Sequence, residues 1–237
     1  MTTPTRETQL VDAFTTLADT LVLGYDVVDL LQTLVENCRD ILDITAAGIL
    51  LADDTGQLEV VASTSEASNL VEIMQVDAKE GPCMDCFTTG KPVSLPDVDV
   101  DAGRWPRFQT EARKQGFGAV FGLPLRLREE IIGTLNLLRE QRGDLPERDL
   151  RAAQALADVA TIGILHERSV TDSQTVRSQL QRALDSRVVI EQAKGFVAHQ
   201  NNVSPEDAFQ LIRAHARSRN QRLSDVARGL VEQTLTL

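Results

Sequence analysis

Two groups of residues in this chain have types and spacings that could do chemistry. The first is Cys83-Met-Asp-Cys86, two thiols one helical turn apart, directly after Gly81-Pro82. A thiol at a helix N-terminus feels the positive end of the helix dipole. Its pKa falls, and a neighbouring thiol can resolve an oxidised intermediate. Cys83 and Cys86 are therefore candidate redox residues, with two packed structural thiols as the alternative. A zinc site lacks ligands, because Cys38 stands alone and the three histidines all lie at position 166 or later. The same distribution removes haem ligation by His from residues 10–165. No metal site, phosphate loop or catalytic-triad pattern is expected.

The second group is basic. Arg187 and Lys194 are seven residues apart, two helical turns, so they project from one helix face. Arg213, Arg217, Arg219 and Arg222 crowd a second helix end and the turn after it. Guanidinium groups pair with phosphates and stack on unpaired bases, which is the chemistry a folded RNA loop presents. The charge is segregated in the same sense. Residues 177–237 carry nine Arg/Lys against six Asp/Glu, or +3, and the preceding 176 residues carry 15 against 29, or −14; the two sum to the net −11 of the chain. A basic tail on an acidic body is the asymmetry expected when the tail alone meets a polyanion. Aromatic residues make up only 4%, so a base-stacking sheet platform is disfavoured.

The elements that must position these groups follow from periodicity. Residues 9–23 and 26–42 are apolar at helical spacing, with Asp26 as an N-cap. Thr45–Ala52 and Leu58–Ser63 form a hairpin around Asp53–Gly56. Short helices are expected at 66–76 and from Cys83 to Thr89, then a short strand at Val93–Leu95 and a long Pro/Asp-rich loop. Phe117–Leu127 and Glu130–Leu138 form a second hairpin, turning near Arg128-Glu129, and Gly133 marks a bulge or a close approach. A helix starts at Leu145-Pro146-Glu147. Three amphipathic helices make the tail, with Ser204-Pro205 opening the second and Ser224 near the start of the third. Residues 165–185 contain neither Pro nor Gly, and Val176, Leu180, Ala183 and Leu184 form an apolar seam suited to a coiled-coil dimer.

The order helix, hairpin, small helices, hairpin, helix resembles the GAF sensor domain over residues 10–165. The resemblance is carried by Glu80-Gly-Pro-Cys-Met-Asp-Cys-Phe-Thr-Thr-Gly-Lys-Pro-Val93, by Arg104-Trp-Pro-Arg-Phe108, and by Leu123-Pro-Leu-Arg-Leu-Arg128 with Gly133-Thr-Leu-Asn-Leu137. It implies a small-molecule pocket between the sheet and its loop-helix layer, with Trp105 and Phe108 as candidate pocket residues. Some GAF-like domains reduce free methionine sulfoxide with cysteines, which keeps a thiol enzyme as an alternative. Bilin attachment is discounted because Phe, not His, follows Cys86. The tail resembles the ANTAR family of transcription antitermination regulators through Ala183-Leu-Asp-Ser-Arg-Val-Val-Ile-Glu-Gln-Ala-Lys-Gly-Phe196, Ser204-Pro-Glu-Asp-Ala-Phe-Gln-Leu211 and Asn220-Gln-Arg-Leu-Ser-Asp-Val-Ala227. That resemblance implies a dimer binding paired RNA hairpins in nascent transcripts, with Ser186, Arg187, Gln192, Lys194, Gly195, Arg217 and Arg222 as RNA contacts. Ala216 and Arg217 depart from the family's usual Ser and Gln.

The expectation is thus an α+β protein: a GAF-like antiparallel sheet domain at 1–165, a linker helix at 166–182, and an all-α three-helix ANTAR-like domain at 183–237. It is expected to be a non-enzymatic, cytoplasmic, homodimeric RNA-binding regulator. No cofactor is expected beyond an unidentified small-molecule ligand. No apolar run approaches the ~18 residues of a membrane span, and the N-terminus lacks a secretory signal pattern. DNA binding is the other alternative, disfavoured because no helix-turn-helix text with its tight Gly turn is present.

Overall fold

The structure is a computed structural model of the chain, and it describes residues 5–20, 26–53, 55–100, 103–127, 130–166, 176–219 and 221–237. The elements are α1 (Arg6–Thr20), α2 (Val27–Ile41), β1 (Ala46–Ala52), β2 (Leu58–Ser63), α3 (Glu66–Ala78), α4 (Pro82–Thr89), β3 (Val93–Leu95), α5 (Pro106–Lys114), β4 (Ala119–Leu127), β5 (Glu130–Arg139), α6 (Glu147–His166), α7 (Val176–Asn201), α8 (Pro205–Ser218) and α9 (Leu223–Val231). Among the described residues the strands form one antiparallel sheet in the order β2-β1-β5-β4-β3.

Strand alternation divides this sheet into two chemically different faces. Ala47, Ile49 and Leu51 of β1, Leu135 and Leu137 of β5, and Phe121, Leu123 and Leu125 of β4 form one wholly apolar face. They pack in the same core cluster as Leu17 of α1, Leu30, Leu31 and Leu34 of α2, and Leu156 and Ala160 of α6. The opposite face carries the registered rows Ala46–Leu138–Val120, Gly48–Asn136–Gly122 and Leu50–Thr134–Pro124. It lies under α3, α4 and α5. Polar side chains in the centre of a sheet with both faces covered are unusual, and they locate the site described below.

Local signals explain the ends of the elements. Asp26 caps α2 by accepting from the Val28 amide, Ser65 caps α3 and Ser204 caps α8, each cap contributing about 1 kcal/mol. Gly90 ends α4 at φ 65°, a left-handed position that suits glycine. Gly133 has no room for a side chain: a Cβ there would sit 2.1 Å from the Leu50 carbonyl oxygen. The register of β4 against β5 shifts beside it, between Leu125 and Arg126, so Gly133 is both a close approach and a neighbour of a bulge.

Helix α5 corrects the long loop expected after β3. Its N-cap position is Trp105, which supplies no side-chain cap. The cap comes instead from Glu80, whose Oε1 accepts from the Arg107 and Phe108 amides at 2.5 and 3.1 Å. A cap contributed from 27 residues upstream leaves no local signature. Of the linker expected at 166–182, residues 167–175 lie outside the described residues and 176–182 form the start of α7; the Arg128-Glu129 turn also lies outside them. The tail forms its three helices, and its apolar side chains (Ile190, Ala193, Val197, Ile212, Val226 and Leu230 among them) join the core cluster of α1, α2 and α6. Ala183 and Leu184, assigned to a dimer seam, are buried in that same cluster within the chain.

Candidate functional site

The row Gly48–Asn136–Gly122 crosses three adjacent strands, and two helices close on its glycines. A Cβ on Gly48 would sit 1.8 Å from a Glu72 carboxylate oxygen, and one on Gly122 would meet Cys86 Cβ and the Pro82 carbonyl oxygen, each at 3.2 Å. The missing side chains therefore admit polar and thiol groups of α3 and α4 to the sheet. Glu72, Gln75, Thr134 and Asn136 are all fully buried. Among the described residues, both Glu72 carboxylate oxygens, both amide atoms of Asn136, Thr134 Oγ1 and Gln75 Nε2 have no partner at hydrogen-bond geometry, although the Asn136 amide is near enough to Glu72 to act on its carboxyl. Gln75 Oε1 is engaged, accepting the Cys83 amide at 3.1 Å. Burial pushes the Glu72 carboxyl well above the usual range, with the nearby Arg187 charge and Asn136 amide opposing. Unpartnered polar atoms cost about 1–3 kcal/mol each when buried, so this concentration of them is a candidate binding site.

Cys83 and Cys86 lie in this interior, both buried and free. The helix start predicted a depressed thiol pKa at Cys83; the structure reverses this. Burial, then Glu72 and Cys86, push the Cys83 thiol well up, and burial pushes Cys86 up to about 12 against a weaker opposing effect of Arg126. Desolvation outweighs the helix dipole at both thiols, and at Cys83 the Glu72 carboxyl adds to it. Trp105 and Phe108, the expected pocket residues, pack edge-to-face with ring centroids 6.2 Å apart in an apolar cluster with Ala46, Val71, Leu95 and Leu138. Arg104 stacks over the outer Trp105 face at 4.2 Å. The sequence reading missed Glu72, Gln75, Thr134 and Asn136. Thr134 and Asn136, alternating inside the apolar run of β5, were the available signal.

On α7, Arg187 and Lys194 do share a face, since both line one groove of ≈150 Å³ with Asn69, Glu36, Phe209 and Gln210. That face is turned toward the sensor-like domain, and both side chains are half-buried there. Arg187 donates to Asn69 Oδ1 at 3.1 Å, and burial lowers its pKa against the fields of Glu191, Glu72 and Glu59. Lys194 donates to Glu191 at 2.9 Å and lies 5.8 Å from the Phe209 ring centre. Ser186 is half-buried, Gln192 is exposed, and Gly195 has open space where a Cβ would stand. Arg222 is exposed at the N-cap of α9.

Helix α8 contains Arg213, a member of the basic group that was not among the expected RNA contacts. Arg213 is 5% exposed, yet carries a guanidinium with three acceptors, all on α2. Its Nε donates to Asp29, Nη1 to Glu36 and Nη2 to Thr33 Oγ1, each at 2.6 Å. Burial alone would lower its pKa, but Asp29 and Glu36 more than offset that and hold it raised. Arg217, still half-exposed, reaches Asp29 at 3.4 Å and Thr33 at 3.3 Å. Asp26 extends the contact: its Oδ1 caps α2 and its Oδ2 accepts the Ser224 amide of α9 at 3.0 Å. The legible signal was the stripe Asp29, Thr33, Glu36 at helical spacing on an amphipathic helix.

Comparison with known proteins places both halves. A GAF domain model matches residues 25–164 and an ANTAR domain model matches residues 178–231. No curated protein matches the chain. Among solved structures, a free methionine-R-sulfoxide reductase from Neisseria meningitidis aligns with a TM-score of 0.55 at 16% identity, over 72% of this chain and 96% of that one. The GAF domain of a phosphoenolpyruvate-protein phosphotransferase from Coxiella burnetii gives 0.53 at 17%, over 68% and 95%, and its Acinetobacter counterpart 0.50 at 16%, over 69% and 97%. At these identities the likeness concerns the fold. Among the described residues no helix is long and apolar enough to cross a membrane. The chain belongs to the GAF domain family, and it joins that sensor domain to a C-terminal ANTAR domain in the manner of a signal-responsive regulator.

Proposed function

We propose that the protein binds short RNA hairpins through its ANTAR domain, promotes transcription antitermination, and is controlled by a small-molecule ligand of its GAF domain. The observation that carries this reading is the ANTAR match across α7–α9, on the same segment where the sequence concentrates positive charge. ANTAR domains bind RNA, and the surface of this one offers suitable groups: exposed Gln192, Arg217 and Arg222, and the open backbone at Gly195. A helical glycine with nothing packed on it lets a nucleic-acid backbone approach closely. Arg187 and Lys194 would join that surface once the α7 face parts from the GAF domain. Paired hairpins would be met by two copies of the chain.

On the input side, the unpartnered Glu72, Gln75, Thr134 and Asn136 groups are the candidate ligand contacts. Helix α3 links them to the output, since Glu72 faces the sheet while Asn69, one turn earlier, holds Arg187. A ligand that moves α3 thereby changes the hold on α7. The buried, high-pKa cysteines favour a structural role for Cys83 and Cys86 over the thiol-enzyme alternative.

Crosslinking the protein to RNA in cells and sequencing what is recovered tests the reading. Enrichment of leaders that can form paired hairpins, lost in the Arg187→Ala/Lys194→Ala variant, is the expected result. Recovery of no hairpin class, or preferential competition by duplex DNA at fixed salt, would replace it with the DNA-binding alternative.

A further inference from the structure

The arginines of α8 are already holding oxygen atoms. Asp29, Thr33 and Glu36 place three acceptors on one face of α2 over two turns, roughly 10 Å of helix, and Arg213 engages all three while Arg217 shares two of them. A guanidinium fork meeting spaced anionic oxygens is the geometry with which arginine reads phosphates. The same pattern recurs where Asp26 meets the amide of Ser224 near the N-terminus of α9, a position suited to a phosphate oxygen. The apolar side chains of the tail already pack in the core cluster with α1, α2 and α6, and this ionic edge adds little net attraction to that packing, because the desolvation of a buried ion pair cancels most of it. An ionic contact has a different use: a competing polyanion can displace it.

We propose that the Asp26–Asp29–Thr33–Glu36 edge of α2 is a resident mimic of an RNA backbone, and that Arg213 and Arg217 exchange it for transcript phosphates when the domains part. Arg213 is then an RNA contact that the closed form conceals. This rests on the RNA-binding reading of the ANTAR domain. The closed arrangement lowers the observed affinity by the fraction of molecules that are open, so removing the mimic raises it without adding any contact to RNA.

The test compares three full-length proteins: the parent, Asp29→Asn/Glu36→Gln, and that double variant carrying Arg213→Ala. Neutral amides keep the shape of α2; the double variant leaves Arg213 without its counter-charges in the closed form, which favours parting of the domains, and the added Arg213→Ala removes that charge, with circular dichroism of all three verifying that each is folded. The probe is RNA bearing two short hairpins with randomised loops, read by filter binding at two salt concentrations, with hydrogen exchange of the α8 amides as the measure of opening. The double variant should exchange faster in α8 and bind roughly tenfold to a hundredfold tighter than the parent. The added Arg213→Ala should return about tenfold of that gain. Unchanged exchange and affinity in the double variant would overturn the mimic while leaving parental RNA binding as the support for the RNA reading. Equal binding by the double and triple variants would overturn the role of Arg213. Faster α8 exchange with no RNA bound by any of the three would refute the RNA reading, and the mimic with it.

Discussion

Replacing Glu72 by Gln should stabilise the GAF domain at neutral pH, with a gain that grows as pH rises. Glu72 is fully buried over Gly48, both its oxygens lack a partner at hydrogen-bond geometry among the described residues, and burial raises its pKa well above the ordinary value. In the unfolded chain the same carboxyl ionises near pH ~4.3. Between that value and the higher folded pKa, the native state holds a proton that the unfolded state has lost. Stability then falls with pH at up to about 1.4 kcal/mol per unit from this one group. Below the window the carboxyl is protonated in both states and the term vanishes. Gln keeps the size and cannot ionise, so the difference between variant and parent should open steadily above pH ~4.3 and level off beyond the folded pKa. The Arg187 charge and the Asn136 amide oppose the effect of burial on this carboxyl, so they set where the window closes and not the sign of the trend. The assay is urea unfolding followed by fluorescence of Trp105, the single tryptophan, which is buried in the same domain. Parallel stability curves across this range, or a gain that shrinks with rising pH, would refute the assignment of Glu72 as a buried protonated carboxyl.

Three further outcomes follow from the structure. At pH ~8 a thiol of pKa about 12 is ionised in on the order of one molecule in ten thousand. Native Cys83 and Cys86 should therefore alkylate only at the rate of local opening, and rapid labelling would restore the redox alternative. Gly133→Ala should cost about 3 kcal/mol or more, because its Cβ would enter the Leu50 carbonyl. Gly103→Ala, with open space around the new methyl, should change thermal stability by less than about 0.5 kcal/mol.

Much of the fold was legible because each element states its own period and stops. Asp26, Ser204 and Pro205 announce helix starts, and the two hairpins alternate around turn residues. What escaped the sequence was what depends on partners distant in the chain. Helix α5 takes its cap from Glu80, so its first turn shows only Trp105-Pro106. The direction of the Cys83 pKa shift was inverted because the α4 N-terminus is visible in sequence, whereas the Glu72 carboxyl beside it and the depth of burial are not. Arg187 and Lys194 were rightly placed on one helix face. That the face turns inward depends on Asn69 and on the α2 acidic stripe, 118 residues and more away. The polar cluster under α3 left a trace as Thr134 and Asn136 within an apolar strand, and two flanking glycines two strands apart complete it only in three dimensions.

The central claim is that the ANTAR helices meet RNA through their basic residues, and the salt dependence of binding tests it most directly. For hairpin RNA recovered from cells, the slope of log affinity against log salt should be shallower in Arg217→Ala/Arg222→Ala than in the parent by roughly 0.7–0.9 per lost phosphate contact, with affinity reduced alike across loop sequences. An identical slope in parent and variant, or no hairpin RNA that binds the parent at any salt, would contradict it.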